Sequence, residues 1–162
     1  MEWNGTAWTT YPDTDLGPAY HRNGVGFGST EAALYSNHTS FNKEWNGTAW
    51  SSISNTTFDH TQGSGGGTVN DGVVFGGREN SGYSNAYHND TEIYDGTNWS
   101  TGPTMSTARM SMAGGGSSTA AFMVGSWDRE NTVSVACCTE EYTEGSLDTT
   151  LVKTITGSAY SY

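Results

Sequence analysis

The heptapeptide EWNGTAW spans Glu2–Trp8 and recurs letter for letter at Glu44–Trp50. A relaxed copy, EIYDGTNW, spans Glu92–Trp99. Each copy places an Asn-Gly or Asp-Gly pair between aromatic residues, and such pairs favour the type I′ turn of a tight β-hairpin. The recurrence predicts a tandem-repeat protein in which every repeat contributes one aromatic hairpin.

Glycine-rich stretches lie between the hairpins and align with one another without a gap: Pro18–Asn37, Phe58–Gly77 and Thr107–Ser126. The alignment places two sets of residues in common columns: Gly26, Gly66 and Gly115; Tyr20, His60 and Arg109. The offsets between units are 40 and 49 residues, and they differ only in the connection before the hairpin. Length variation confined to one connection is typical of loops on one face of a repeat fold.

Four short strands are predicted in each unit. The first is glycine-rich, as at Ser111–Gly115, which suits close approach of neighbouring backbones. The second is a short apolar run, at Ala32–Tyr35, Gly72–Phe75 and Ala120–Val124, as expected of a strand buried on both faces. The third and fourth are the hairpin arms, TEIY and TNWS around Asp95–Gly96.

Composition supports an all-β fold. Only 33% of the residues are hydrophobic, whereas 22 are glycine and 20 are Phe, Trp or Tyr. A helical core needs more apolar residues than this, and short aromatic-rich strands joined by tight turns suit the composition.

Charge excludes some partners. Six Lys and Arg face 17 Asp and Glu, for a net charge of −11, so nucleic acid is a poor partner. The sequence has no run of about 18 apolar residues, so membrane insertion is not expected. Met1 leads directly into the first hairpin without a signal-peptide pattern, which predicts synthesis in a cytoplasm.

The units resemble the kelch repeat, whose pattern is an Arg at the start of the unit, a Gly-Gly after the second strand, then a Tyr-Asp and a Trp. Arg109, Gly76–Gly77, Tyr94–Asp95 and Trp99 match that pattern. The amino-acid sequences of the heptapeptide and of the glycine-rich strands are similar to those found in kelch-like proteins of marine phages and environmental bacteria. The resemblance implies that each unit is one blade of a β-propeller.

The repeats are expected to fill residues 1–146, with units at about 9–50, 51–100 and 101–146 after the hairpin at 2–8, and residues 147–162 are expected to form a strand or attachment tail. Closed propellers need roughly four to eight blades, so three cannot close. Completion by a second copy, membership of a larger propeller and an open array all remain open at this point.

The aromatic hairpin residues are interpreted as packing positions, within a hairpin or between blades. The structural repeat positions are Trp3, Trp8, Trp45, Trp50, Gly76, Gly77, Tyr94, Asp95, Trp99 and Arg109. Binding is expected in the long connections between second and third strands, because loops on a rigid scaffold carry recognition. The candidate binding residues are Arg78, Tyr83, Tyr87, His88, Trp127, Asp128 and Arg129.

No catalytic residue, metal or cofactor is predicted. The four histidines are scattered over different units, and the adjacent Cys137 and Cys138 are interpreted as free thiols.

The expected function is a structural or adhesive module on a phage virion or extracellular surface, such as a tail fibre, appendage or decoration protein. Its expected partners are itself, neighbouring surface proteins or a host glycan. The alternative is a carbohydrate-active propeller enzyme such as a galactose-oxidase-like copper oxidase.

Overall fold

The computed structural model describes residues 2–10, 23–79, 86–126 and 139–143 of the chain. These residues form thirteen strands and, within the described ranges, no helix. The expected tail at 147–162 and the two cysteines lie outside them. The all-β prediction is confirmed.

The strands form one hairpin and three antiparallel sheets. The hairpin is β1 (Glu2–Trp3) and β2 (Trp8–Thr9). The first sheet contains β3 (Val25–Gly28), β4 (Ala33–Ser36), β5 (Asn42–Trp45) and β6 (Trp50–Ser52). The second contains β7 (Ser64–Thr68), β8 (Asp71–Phe75), β9 (Thr91–Tyr94) and β10 (Trp99–Thr101). The third contains β11 (Ala113–Gly116), β12 (Ala120–Val124) and β13 (Thr139–Thr143).

Each sheet is a meander in which consecutive strands pair, so the strand order follows the sequence. The first strands lie side by side, with β7 between β3 and β11. Backbone hydrogen bonds connect the residues at their entrances: the Gln62 amide donates to the Asn23 carbonyl at 2.8 Å, and the Ser111 amide donates to the Gln62 carbonyl at 2.7 Å. We call this run of bonds the entrance ladder.

Backbone conformation fixes which residues are equivalent between units. The entrance residues share a positive φ: Asn23 (66°), Gln62 (63°) and Ser111 (53°). The glycines at the ends of the first strands also have a positive φ: Gly28 (122°), Gly67 (106°) and Gly116 (124°). Both sets are spaced by 39 and then 49 residues. The sequence offset of 40 between the first two units is therefore wrong by one, and His21 rather than Tyr20 falls in the column of His60 and Arg109. Because runs of glycine align equally well at neighbouring offsets, the sequence alone does not distinguish an offset of 39 residues from one of 40.

The hairpin turns differ from the expected type I′. Positive φ occurs at Gly5, Gly47 and Gly96 but not at the Asn or Asp before them, whereas a type I′ turn centred on Asn-Gly or Asp-Gly requires positive φ at both residues. The preceding side chain is an acceptor instead. Asp95 Oδ1 accepts the amides of Thr97 and Asn98, both at 2.8 Å. Asn4 and Asn46 make the same two bonds in their own turns.

The core lies between the sheets. Val73 and Phe75 of β8 pack against Ala121 and Met123 of β12. Leu34 and Val74, which are also buried, belong to the first and second sheets. Because side chains alternate across a strand, the β12 residues between these positions face away from the second sheet.

The hairpin β1–β2 repeats the sequence of β5–β6 in a different setting. Its ring centroids at Trp3 and Trp8 lie 5.6 Å apart, close to the 5.7 Å between Trp45 and Trp50. Trp45 is buried because β5 pairs with β4, whereas both hairpin tryptophans are exposed. A two-stranded hairpin is marginal in water on its own.

Replacing Gly67 by Ala tests the strand-end geometry. A Cβ at Gly67 would clash with the Asp71 carbonyl oxygen, on a backbone with φ of 106°. We expect Gly67→Ala to lower the free energy of unfolding by about 2 kcal/mol or more in urea titrations. Gly115→Ala is the matched control, because its nearest contact is an ordinary 3.7 Å from Phe122 Cε1. Equal effects of the two substitutions would contradict this geometry.

Candidate binding face and its buried supports

One end of the sheets gathers the connections between second and third strands and the entrances to the first strands. We call this end the loop face, and it includes residues 37–41, 76–79 and 86–90 together with the entrance ladder. The opposite end carries the hairpin turns, such as Asn46–Ala49 and Asp95–Asn98.

Three of the predicted binding residues come together on the loop face. Arg78 forms bridge pairs with Thr61 on one side and Tyr87 on the other. His88 donates its amide to the Gly77 carbonyl at 2.9 Å. Both ends of the long connection are thereby fixed to the sheet entrance. The other predicted binding residues lie outside the described ranges: Tyr83, Trp127, Asp128 and Arg129.

His88 is half-buried. Its Nδ1 lies 3.3 Å from Asp90 Oδ2, and its ring packs 6.0 Å from the Phe58 ring centroid. Its carbonyl accepts the Arg109 amide at 3.1 Å. The residue predicted as a ligand contact therefore also links the second sheet to the start of the third unit.

Beneath the loop face lies a fully buried pair of ionisable side chains that sequence reasoning did not identify. His60 Nε2 is 3.0 Å from Glu92 Oε2, and both side chains are 0% exposed. His60 Nδ1 lies 2.8 Å from the Gly76 carbonyl. Both ring nitrogens thus lie within hydrogen-bonding distance of an oxygen.

The Glu92 carboxylate has two more donors. Oε1 accepts the Thr57 amide at 2.8 Å, and Oε2 accepts the Phe58 amide at 3.0 Å. Burial raises the pKa of Glu92, but the bond from His60 and the two amide bonds outweigh it, so the pKa is lowered overall. The carboxylate connects a strand of the second sheet to the chain segment that enters it.

The third unit repeats this arrangement at equivalent positions. Arg109 donates through Nη2 to Glu140 Oε1, and Glu140 also accepts the Ser106 amide at 2.7 Å and the Ser106 hydroxyl at 2.8 Å. Both side chains of the pair are largely buried. A basic residue at the unit start and a Glu on the third strand therefore hold each of these sheets to its entering segment.

The first sheet departs from the arrangement. In the strand pairing, the position of Glu92 and Glu140 is occupied by Lys43, opposite Tyr35 on β4. Lys43 Nζ lies 5.3 Å from the Phe41 ring centroid and donates to Ser52 Oγ at 3.2 Å. This face of the first sheet carries a cation and aromatic rings.

A cavity of about 230 Å³ lies between the second and third sheets, along β13. Its lining includes Phe75, Met105, Met123, Glu140 and Tyr142. It is smaller than the roughly 300–1,000 Å³ of typical ligand pockets. Because Glu140 is already bonded to Arg109 and Ser106, the cavity ranks below the loop face as a ligand site.

Two features are absent from the described residues. No three His, Cys, Asp or Glu side chains within these ranges are arranged to hold a metal ion. The same ranges contain no helix of the length and apolar character that crossing a bilayer requires.

Comparison with known proteins supplies a fold likeness. No protein-family model matches the chain, and no curated protein matches it. A solved structure titled "Structure of YjhT" is similar at a TM-score of 0.57 and 16% sequence identity, over 70% of this chain and 36% of that one. The chain therefore spans about a third of the solved protein's length, and at this identity the likeness concerns fold alone. What is established is an all-β chain of repeated antiparallel sheets.

The buried pair makes a prediction about stability. Removing one member of a buried hydrogen-bonded pair leaves the polar groups of the other unsatisfied, which typically costs about 1–3 kcal/mol, and more where the group left behind is a carboxylate. We expect Glu92→Ala and His60→Ala each to lose stability in that range in urea titrations, and the double variant to lose less than their sum. Glu44→Ala, at a half-buried position of the first sheet, is the control and should lose about 1 kcal/mol or less. Strictly additive losses at His60 and Glu92 would contradict a coupled pair.

The lowered pKa of Glu92 predicts a pH dependence. Since the folded pKa lies below the unfolded one, about 4.3, this carboxylate's contribution is complete above the unfolded value and is lost as pH falls through the folded value. The stability difference between wild type and Glu92→Gln should therefore be constant above about pH 5 and shrink as the pH falls below that. Urea midpoints at several pH values measure it. A difference independent of pH would show that Glu92 does not titrate as described.

Proposed function

We propose that this chain is a kelch-like β-propeller module that presents its loop face for binding and performs no catalysis of its own. Its setting is a structural or adhesive component of a phage particle, such as a tail fibre, appendage or decoration protein. The loop face contacts a host glycan or a neighbouring surface protein.

The observation that carries the proposal is that the buried ionisable residues are paired with one another in structural positions that repeat from sheet to sheet. His60, Glu92, Arg109 and Glu140 belong to types that serve in catalysis, yet each is buried and bonded within a repeated structural pair. Repetition at equivalent positions is expected of a scaffold, because a catalytic site needs its groups at one place only.

Backbone hydrogen bonds hold the described parts of the loop face in place. The entrance ladder connects the three units, and the connection after β8 is fixed at both ends through Gly77, Arg78 and His88. Recognition residues on loops gain affinity when the scaffold holds them in place, because less conformational entropy is lost on binding.

Only the amino-acid sequence of the repeats supports the phage setting. The EWNGTAW hairpins are similar to those of kelch-like proteins from marine phages and environmental bacteria. Because one fold serves many functions, the setting requires its own test.

A binding assay tests the loop face. Labelled wild-type chain is applied to a glycan array and to intact cells of candidate marine bacterial hosts. We expect binding to fall at least about tenfold in Tyr87→Ala and in His38→Ala, both on the loop face. Thr97→Ala, at an exposed hairpin turn on the opposite end, is the control and should bind as wild type.

Two results would overturn the proposal. One is undiminished binding by both loop-face variants together with loss of binding by Thr97→Ala. The other is turnover of galactose or a related sugar by chain loaded with copper, which would establish the oxidase alternative.

A further inference from the structure

The third sheet has an apolar face that no described sheet covers. Phe122 and Val124 on β12 are 48% and 39% exposed. Their equivalents on β8, 49 residues earlier, are Val73 and Phe75, which are 0% and 4% exposed because the third sheet packs on them. The repeat itself therefore shows what covers this kind of face: another sheet of the same construction.

The first sheet offers the complementary face. Phe27 of β3 faces the second sheet, because a Cβ at Gly72 would lie 2.9 Å from Phe27 Cζ. Gly26 and its β4 partner Tyr35 therefore lie on the opposite side of the first sheet. Their equivalents in the third unit, Gly114 and Met123, form the side that packs on the second sheet.

Glycine contacts support the match. A Cβ at Gly114 would lie 2.8 Å from Phe75 Cζ, and one at Gly65 would lie 2.9 Å from Val25 Cγ1, so glycine at this position admits a side chain from the neighbouring sheet. At Gly26 the nearest atom is the Leu34 carbonyl at 3.8 Å. The first sheet therefore keeps the same space for an incoming side chain.

Charge is also complementary. Glu141 is paired with Phe122 and lies on the uncovered face of the third sheet. Lys43 is paired with Tyr35 and lies on the open face of the first. A carboxylate on one face and an ammonium on the other favour contact between unlike faces over contact between two copies of the same face.

We propose that a second copy of this chain docks the open face of its first sheet on the uncovered face of the third sheet, with Val124 directed at the partner copy's Gly26 position. The contact continues the entrance ladder, so that the Ser111 carbonyl accepts from an Asn23 amide of the second copy. Made in both directions, it gives a two-fold assembly of six sheets, within the range of about four to eight blades in closed propellers. The inference rests on the proposed propeller module and deepens it.

Solution mass tests the interface. We expect the wild-type chain at about 100 µM, in buffer of about 0.15 M ionic strength, to show twice 17.3 kDa by light scattering after size exclusion. Gly26→Val adds a side chain where the described residues leave room, and Phe122→Glu adds a charge to the apolar face. Each should give a 17.3 kDa monomer with unchanged circular dichroism. Ser51→Val and Ser51→Glu, on the exposed outer strand β6, are matched controls and should remain dimeric.

Mixing distinguishes the arrangement. A pair formed by one Gly26→Val chain and one Phe122→Glu chain retains one unaltered interface, so the mixture should regain dimer that neither variant forms alone. A wild-type monomer overturns the inference, and so does a Gly26→Val dimer as tight as wild type. A monomeric wild type that still binds through its loop face would refute the second-copy interface while leaving the proposed function intact.

Discussion

The entrance ladder is the constraint on which the rest of the structure depends. It joins Asn23, Gln62 and Ser111 through their backbones, so it sets how closely the first strands of neighbouring sheets approach. At that spacing a Cβ at Gly66 would lie 2.6 Å from the Gly116 amide nitrogen. Glycine in these strands is therefore required by the approach of backbones, and the strands have little apolar surface of their own to bury.

Because the glycine-rich first strands bury little apolar surface, side chains packed between the sheets must supply most of the stability. Apolar residues of the second strands fill the inner part of that space, and the pairs His60–Glu92 and Arg109–Glu140 fill its end below the loop face. The buried pairs are costly to desolvate, and backbone amides at the same carboxylates offset part of that cost. They also specify geometry, since each Glu accepts hydrogen bonds from the segment that enters its own sheet. Rigid sheet entrances then carry the loops proposed to bind.

Much of the fold could be predicted from the sequence, because strand and turn signals are local. Ala120–Val124 was predicted at the observed bounds of β12, and TEIY at those of β9. The first strand of the third unit begins at Ala113 instead of Ser111, whose positive φ belongs to the ladder. The buried pairs beneath the loop face were harder to predict from the sequence. His60 and Glu92 are 32 residues apart, and no local pattern indicates that they meet. Arg109, the arginine of the kelch-like pattern, was one signal of a buried acidic partner, and the Glu two residues before each of Tyr94 and Tyr142 was the other.

Amide hydrogen exchange followed by NMR tests the central claim most directly. If the ladder holds the sheets together, the Gln62 and Ser111 amides open only in near-global unfolding and exchange orders of magnitude more slowly than exposed-loop amides. The account predicts that protection at both positions, with opening free energies close to that of the whole described fold. Exchange at Gln62 and Ser111 as fast as in an unstructured peptide would contradict it.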